Sequence, residues 1–346
     1  MLVKLLYTLT LFYSTLAFSQ VNMNLAPFNR WHCIDFIENI DKSKPHAYNV
    51  GDLPLITWFD DNNKPYTTVN ICSHMGSKLD KGNVKDGCLT CPYHGLEHRE
   101  DKTFGDTLVF QNQLWWSYNP IKSSPPTIPL FNSKKYASSR IKIDVNANIV
   151  DCAFNTMDVN HPAHVHNNMF GFGSNIPPTN VKKVQYPHDD EKIGFSFNYH
   201  SVSNLVHFKR EIRKSKNFHI FEYPYSTWSR VSLPSGEHLF VNVNMLPLSR
   251  NKTRWFVTLQ HNFWKSSLGK VFMRFAADCI LYQDQCQMNR QSQDSVLKSL
   301  VSSKTVFENE EHFNELRKMF ENYNYPDHEM VAALYKQHIR NRCISK

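Results

Sequence analysis

Beyond its first twenty residues the sequence has no segment long and apolar enough to cross a bilayer as a helix. It has no internal repeat and no low-complexity tract, so a repeat architecture is excluded. It carries no nucleic-acid-binding motif, and the formal charge of +8 is explained as well by an acidic protein partner or an anionic surface. The densest basic run, His207 to Lys216, reads as a solvated face. The eight cysteines (33, 72, 88, 91, 152, 279, 286 and 343) form no paired framework of the kind that staples small secreted domains. What remains is an ordinary globular mix, 41% hydrophobic and 20% charged over 346 residues, enough for two domains with cores of their own.

The start, MLVKLLYTLTLFYSTLAFSQ, has Lys4, a mostly apolar run from Leu5 to Ala17, then Ala17-Phe18-Ser19. Residues 1–19 therefore read as a signal or targeting segment, with an N-terminal anchor as the alternative.

Two of the cysteines stand in a metal-like pattern: Cys72-x-His74 and, sixteen residues on, Cys91-x-x-His94. Each arm supplies one sulfur and one nitrogen. A structural zinc site uses the same atoms but groups its ligands differently, and coincidence is the remaining alternative. One Cys and one His from each of two loops suits a [2Fe–2S] cluster in which two histidines replace two cysteines on one iron. Gly76 and Gly95 allow tight backbone beside these residues. The runs LPLITWF, YTTVNIC and NQLWWSY read as short strands. On these features residues 28–125 resemble a Rieske [2Fe-2S] domain. The extra disulfide of respiratory Rieske proteins would need cysteines where Ser77 and Tyr93 stand, so the resemblance is to the oxygenase and ferredoxin type. Cys88 reads as a plain buried residue.

A ferredoxin would end soon after residue 125, but this chain continues. Asp158-x-x-His161-x-x-x-x-His166 resembles the mononuclear iron motif of Rieske oxygenases, with His164 as a competing ligand. A helix would put Asp158 beside His161, so that the carboxylate accepts a hydrogen bond from the far ring nitrogen, with a bend near Pro162. The third ligand by resemblance is Asp284, seven residues before Gln291, with Asp278 as the fallback. Two His and one carboxylate leave open positions on Fe(II) for O2 and substrate.

KSSPPTIPLF, residues 122–131, reads as a join. Beyond it, residues 136–280 alternate polar and apolar in runs such as KIGFSFNY, HLFVNVNML and RWFVTLQHNF, which predict an antiparallel sheet. Phe313, Leu316, Phe320 and Tyr323 recur at helical spacing, and Pro326 precedes a last helix ending near Arg342. The expected fold class is α+β: an all-β Rieske domain, then a catalytic domain over 130–346 whose helix-grip (START-like) sheet, with C-terminal helices, is implied by the resemblance.

The resemblance further implies electrons from a ferredoxin or reductase, O2 and a hydrophobic small-molecule substrate, possible membrane association, no nucleic acid, and a homotrimer. In that trimer Asp158 would bridge His94 of one copy and His161 of the next. The pattern around both sites looks most like the pheophorbide a oxygenase and chlorophyllide a oxygenase branch, which implies a chlorophyll-derived tetrapyrrole and a plastid location, with the endoplasmic-reticulum membrane as the alternative. Leu96 stands where that branch has Trp, and Cys343 is alone where plant pheophorbide oxygenases have a cysteine pair and hydrophobic anchors. The rival expectations are a Rieske sterol 7-desaturase and a non-catalytic Rieske electron carrier.

Overall fold

Leu53–Phe59 is apolar at nearly every position, and in this computed structural model it is a strand buried on both faces. The structure describes residues 26–129, 133–166, 178–201, 213–233, 236–291 and 311–344. The expected segment 1–19 and most of the basic run from His207 lie outside these residues. Among them no helix is long and apolar enough to cross a membrane.

The N-terminal part is three small antiparallel sheets. The first joins β1 (His32–Phe36), β9 (Gln113–Ser117) and β8 (Asp106–Phe110); the second joins β2 (His46–Val50), β3 (Leu53–Phe59) and β4 (Pro65–Val69). The third, β5 (Asn83–Lys85), β6 (Cys88–Thr90) and β7 (Glu97–His98), is a short platform that carries the second Cys-His loop between its last two strands. Strand β4 alternates buried and half-buried residues, as a one-sided strand should.

The second part is one seven-stranded antiparallel sheet in the order β10 (Ala137–Val145), β16 (Lys252–His261), β15 (His238–Ser249), β14 (Ser226–Ser232), β13 (Arg213–Glu222), β12 (Lys192–Ser201), β11 (Thr179–Val184). Helix α1 (Ile149–Met157) begins at Asn148, whose side chain accepts the Asp151 N–H, and buries Ile149, Cys152, Ala153 and Met157 against the sheet. A short helix α2 (His161–His164) follows. Helix α3 (Ser267–Arg290) runs along β10, with Gln285 donating to the Asp144 carbonyl. The predicted sheet therefore ends at His261, and the stretch before residue 280 that reads as sheet is already α3. The tail forms α4 (Glu311–Phe320) and α5 (His328–Ile344), with Tyr323 and Pro326 in the turn between them.

The two parts share a core. Phe28, Trp31, Ile34, Phe36, Trp115 and Trp116 pack with Leu246 and Phe256 of the large sheet and with Met330 and Leu334 of α5. Phe36 meets Phe256 edge-on at 5.4 Å. Truncating either ring to Ala would cost about 3–5 kcal/mol, the usual transfer-plus-cavity penalty. This shared core joins the cluster-loop unit to the sheet.

Two candidate metal centres

The two Cys-His loops are congruent. In the first, the Cys72 carbonyl accepts the Gly76 N–H at 2.9 Å and the Cys72 N–H donates to the Ser77 carbonyl at 2.7 Å. In the second, the Cys91 carbonyl accepts the Gly95 N–H at 3.0 Å and the Cys91 N–H donates to the Leu96 carbonyl at 2.9 Å. Each loop closes four and five residues after its cysteine, so Cys-x-His and Cys-x-x-His are the same loop with the imidazole moved by one place. Gly76 (φ 72°) and Gly95 (φ 74°) occupy the left-handed position that lets each loop turn back. An added Cβ would meet nothing within 4 Å at either, so backbone angle, not space, calls for glycine.

In each loop the N–H groups two and three residues beyond the cysteine, His74 and Met75 or Tyr93 and His94, donate to its sulfur. Burial is the largest influence on both thiols and pushes Cys72 up. At Cys91 it is outweighed by these N–H groups, by Cys72 and by the Ser77 hydroxyl, which hold the thiol below its ordinary value. Cys72 and Cys91 touch and are 2% and 3% exposed, whereas His74 and His94 lie at the exposed tip with ring centroids 4.9 Å apart. Two buried sulfurs with amides aimed at them, opposed to two imidazoles, fit a group that is anionic at one end and accepts nitrogen at the other. Cys88 is buried in β6 and donates to the Asp86 carbonyl.

The second constellation joins distant segments. His161 at the start of α2, His166 just after it and Asp284 of α3 bring one ligand atom each within 4.8 Å of one another. His161 Nδ1 lies 2.9 Å from the Asp158 carbonyl and His166 Nδ1 lies 2.9 Å from Gln283 Oε1. Both partners are oxygens that accept, so each Nδ1 carries the hydrogen and each Nε2 presents a lone pair. Those two Nε2 atoms stand 3.5 and 3.2 Å from Asp284 Oδ1, which is buried and accepts no hydrogen bond among the described residues. Three acceptors facing one point is the donor set of a cation, and it fits an Fe(II) held by two His and one carboxylate. Without the cation, burial lowers His161, while at His166 the effect of burial is more than offset by Asp284 and Gln283, which raise it.

Two expectations are corrected. Asp158 is not on a helical face with His161: α1 ends at Met157, Asp158 has extended backbone, and Pro162 sits in the first turn of α2 instead of bending a continuous helix. The Asp158 carboxylate caps the Asn160 and His161 N–H groups at 2.7 and 3.3 Å, and the group beside the His161 ring is the Asp158 carbonyl. His164 is exposed and outside the trio, and Asp278 is exposed and paired with Arg274. Gln283 was missed, because no spacing rule marks the neighbour of a ligand; the sole signal is its adjacency to Asp284.

Residues 30–107 match the model of the Rieske [2Fe-2S] domain. The N-terminal unit is a Rieske domain. Such a domain carries its cluster on two Cys and two His, the four residue types gathered in the two loops. The chain is 26% identical over 164 residues to the oxygenase component of 3-ketosteroid-9-alpha-monooxygenase from Rhodococcus rhodochrous, covering 39% of this chain and 41% of the relative. It is 22% identical over 165 residues to chloroplastic chlorophyllide a oxygenase from Arabidopsis thaliana, covering 43% of this chain and 31% of the relative. The chain spans less than half the length of these curated relatives, and 17% of the length of another 3-ketosteroid-9-alpha-monooxygenase oxygenase component that it matches at 34% identity over 64 residues. Whole-chain likeness is structural: dicamba monooxygenase bound to dicamba superposes with a TM-score of 0.71 at 14% identity, covering 85% of this chain and 97% of that one. Pseudomonas putida NdmA with caffeine gives 0.69 at 15% identity, covering 84% and 89%. The Rieske domain followed by a large antiparallel sheet with helices is thus the fold of these oxygenases.

Proposed function

We propose that the chain is a Rieske-type oxygenase in which Cys72, His74, Cys91 and His94 hold a [2Fe–2S] cluster and His161, His166 and Asp284 hold a catalytic Fe(II). The carrying observation is the trio of acceptors, two Nε2 lone pairs and Asp284 Oδ1, facing one point with His166 and Asp284 buried and His161 half-buried, in a chain that also has a Rieske domain. When bound, the cluster supplies electrons one at a time and the ferrous ion supplies the reductive chemistry of O2.

The chain's own residues do the positioning. The Asp158 carbonyl and Gln283 fix the imidazole tautomers, and the capped turn at Asp158 sets where α2 begins. His74 and His94, exposed at the tip of the Rieske domain, are the side a ferredoxin or reductase donor would approach. A homotrimer, with Asp158 bridging to the His94 of another copy, is supported by α3, which is apolar on two opposite faces: Met273, Ala277, Leu281 and Met288 are buried, whereas Leu268, Val271, Phe272, Phe275 and Tyr282 are exposed. Ile71, Met75 and Tyr93 form a second exposed apolar rim beside the cluster loops, suited to such a face.

The substrate we assign is a large, mostly apolar ring molecule, a chlorophyll-derived tetrapyrrole, reached in a plastid by way of the N-terminal segment. The match to chlorophyllide a oxygenase supports that reading. A steroid is the second reading, favoured by the 3-ketosteroid-9-alpha-monooxygenase matches. The test is anaerobic purification with iron counting and sedimentation, then substrate-dependent O2 uptake with pheophorbide a, chlorophyllide a, cholesterol and a 3-ketosteroid. Three irons per chain and uptake with one of these ring systems support the proposal. Two irons, or a full complement with no substrate-dependent uptake, would leave an electron carrier.

A further inference from the structure

Four strands at one end of the large sheet are lopsided in charge. Strands β11 to β14 hold seven Lys or Arg and one carboxylate, Glu222. Alternation sorts these residues between two faces. Phe221 meets Phe320 of α4 at 5.6 Å and Lys183 pairs with Glu315 of α4, so odd-numbered positions of β11 and β13 face the helices. Even-numbered positions take the outer face. Lys182 pairs with Ser196, Ser196 with Phe218 and Phe218 with Arg230, one row across four strands. Lys216 and Lys214 stand beside that row on the same face of β13, about 7 and 13 Å from Phe218 at strand rise. Glu222 lies the other way along β13, about 20 Å from Lys216 at the same rise, and is held by Lys122 and Lys192.

Lys182, Lys214 and Lys216 are exposed, and among the described residues none of them pairs with a carboxylate. Lys216 Nζ and the Arg230 guanidinium stand 5.2 and 5.8 Å from the centre of the half-buried Phe218 ring, which holds the two cations over the sheet. Arg230 Nη2 is 3.3 Å from His238 Nε2, whereas its Nε is buried and has no hydrogen-bond partner among the described residues. Cations gathered without counter-charges repel one another, and a buried donor without an acceptor costs free energy. Both penalties are relieved by an anion at this face.

The kind of anion follows from what the face lacks. None of the large apolar residues exposed elsewhere, such as Met75, Phe275 or Tyr282, stands on it. It therefore has no apolar centre to desolvate against a protein, and lysine is depleted in the centres of protein interfaces. Long lysine stems on an open sheet suit a fluid array of anionic headgroups, which needs no match of shape. Phe218 and Trp228, both half-buried on the outer face, put aromatic rings among the amines, the mixture that sits at the headgroup boundary. A protein electron donor has its own approach at His74 and His94.

We infer that the outer face of β11 to β14 is a membrane-docking surface, on which Lys182, Lys214, Lys216 and Arg230 meet the headgroups of an anionic lipid bilayer. The inference adds to the oxygenase reading a surface from which an apolar substrate is drawn, and its test needs no turnover.

The test is co-sedimentation of the full-length protein with vesicles at 0.15 M salt, using phosphatidylcholine alone and phosphatidylcholine with 30% phosphatidylserine. The wild type is compared with Lys182→Gln/Lys214→Gln/Lys216→Gln and with Lys81→Gln/Lys85→Gln/Lys135→Gln, which loses the same charge from exposed positions elsewhere. Thermal melts establish that all three fold. A basic residue at an anionic surface is worth about fivefold in binding. The first triple variant should therefore bind the anionic vesicles about 100-fold more weakly than the wild type, with binding to neutral vesicles unchanged, and the second should lose less than tenfold. Any binding through the N-terminal segment is common to all three proteins and shows on neutral vesicles. Equal binding of the wild type to both vesicles, or equal losses in the two variants, overturns the inference. Binding of soluble polyglutamate without a preference for anionic vesicles assigns the face to an acidic protein and also overturns it. Iron content of the same samples reports separately on the oxygenase reading.

Discussion

In the Rieske domain all four candidate ligands lie in one stretch, Cys72 to His94, on two loops that each close through their own backbone. In the sheet domain His166 and its partner Gln283 are 117 residues apart and meet because α3 packs along β10. The first set is therefore built by local geometry and the second by tertiary packing. The first also exposes its imidazoles, whereas in the second His166 and Asp284 are buried. An exposed site can exchange electrons with a partner, and a buried one can keep water from a reactive centre. The difference in construction matches a division between wiring and chemistry.

The largest effects should come from breaking the two sets separately. Cys91→Ser should abolish the low-average-g paramagnetic signal of the reduced protein and reduce turnover at least a hundredfold, while the trio still takes up one iron per chain. Asp284→Ala should do the converse: the signal stays, iron falls by one per chain, and turnover is again lost. If either substitution removed both metals, the sites would be one folding unit and the comparison would fail.

Asp158→Asn addresses the link between the sets. An Asn side chain can still cap the Asn160 and His161 N–H groups, so the turn should persist. Both metals should remain while turnover falls about a hundredfold, as a charge needed between copies is lost. Full activity in this variant would reduce Asp158 to a cap. Gln283→Leu is milder: with the acceptor for His166 Nδ1 gone, iron affinity should drop about 10- to 100-fold and be recovered by excess Fe(II), read by titration.

How much of this was legible follows from the same contrast. The four cluster residues and the strands around them could be read because residue type and spacing alone define the loops. The pair His161 and His166 was marked by the resemblance of its motif, but the break at Asp158 was not, since a helical period continues on paper through a residue whose carboxylate caps the next turn. The proximity of Asp284 to them depends on the packing of α3, which no local pattern encodes, and resemblance alone pointed there. The two apolar faces of α3 cancel in any periodicity, so its burial was illegible too.

The joint between the regions offers the smallest and most specific effect. His32 of β1 is fully buried, 4.5 Å from the Tyr225 ring of the sheet domain and 5.9 Å from Trp116, with Nε2 donating to the Pro27 carbonyl. Burial lowers its pKa from 6.5 to about 3 despite that hydrogen bond. Below pH 6.5 the unfolded chain takes up this proton and the folded chain does not, so His32 destabilises the fold as pH falls from 6.5 toward 3. Between pH 7 and pH 5 the cost is about 2 kcal/mol. His32→Gln keeps a donor for Pro27 and cannot titrate, so its denaturant stability should fall by about 2 kcal/mol less over that interval. An unchanged pH dependence would mean that the joint opens before the rest of the fold and that the two regions are not held by one core. The same measurement thus decides whether wiring and chemistry are rigidly coupled within one copy.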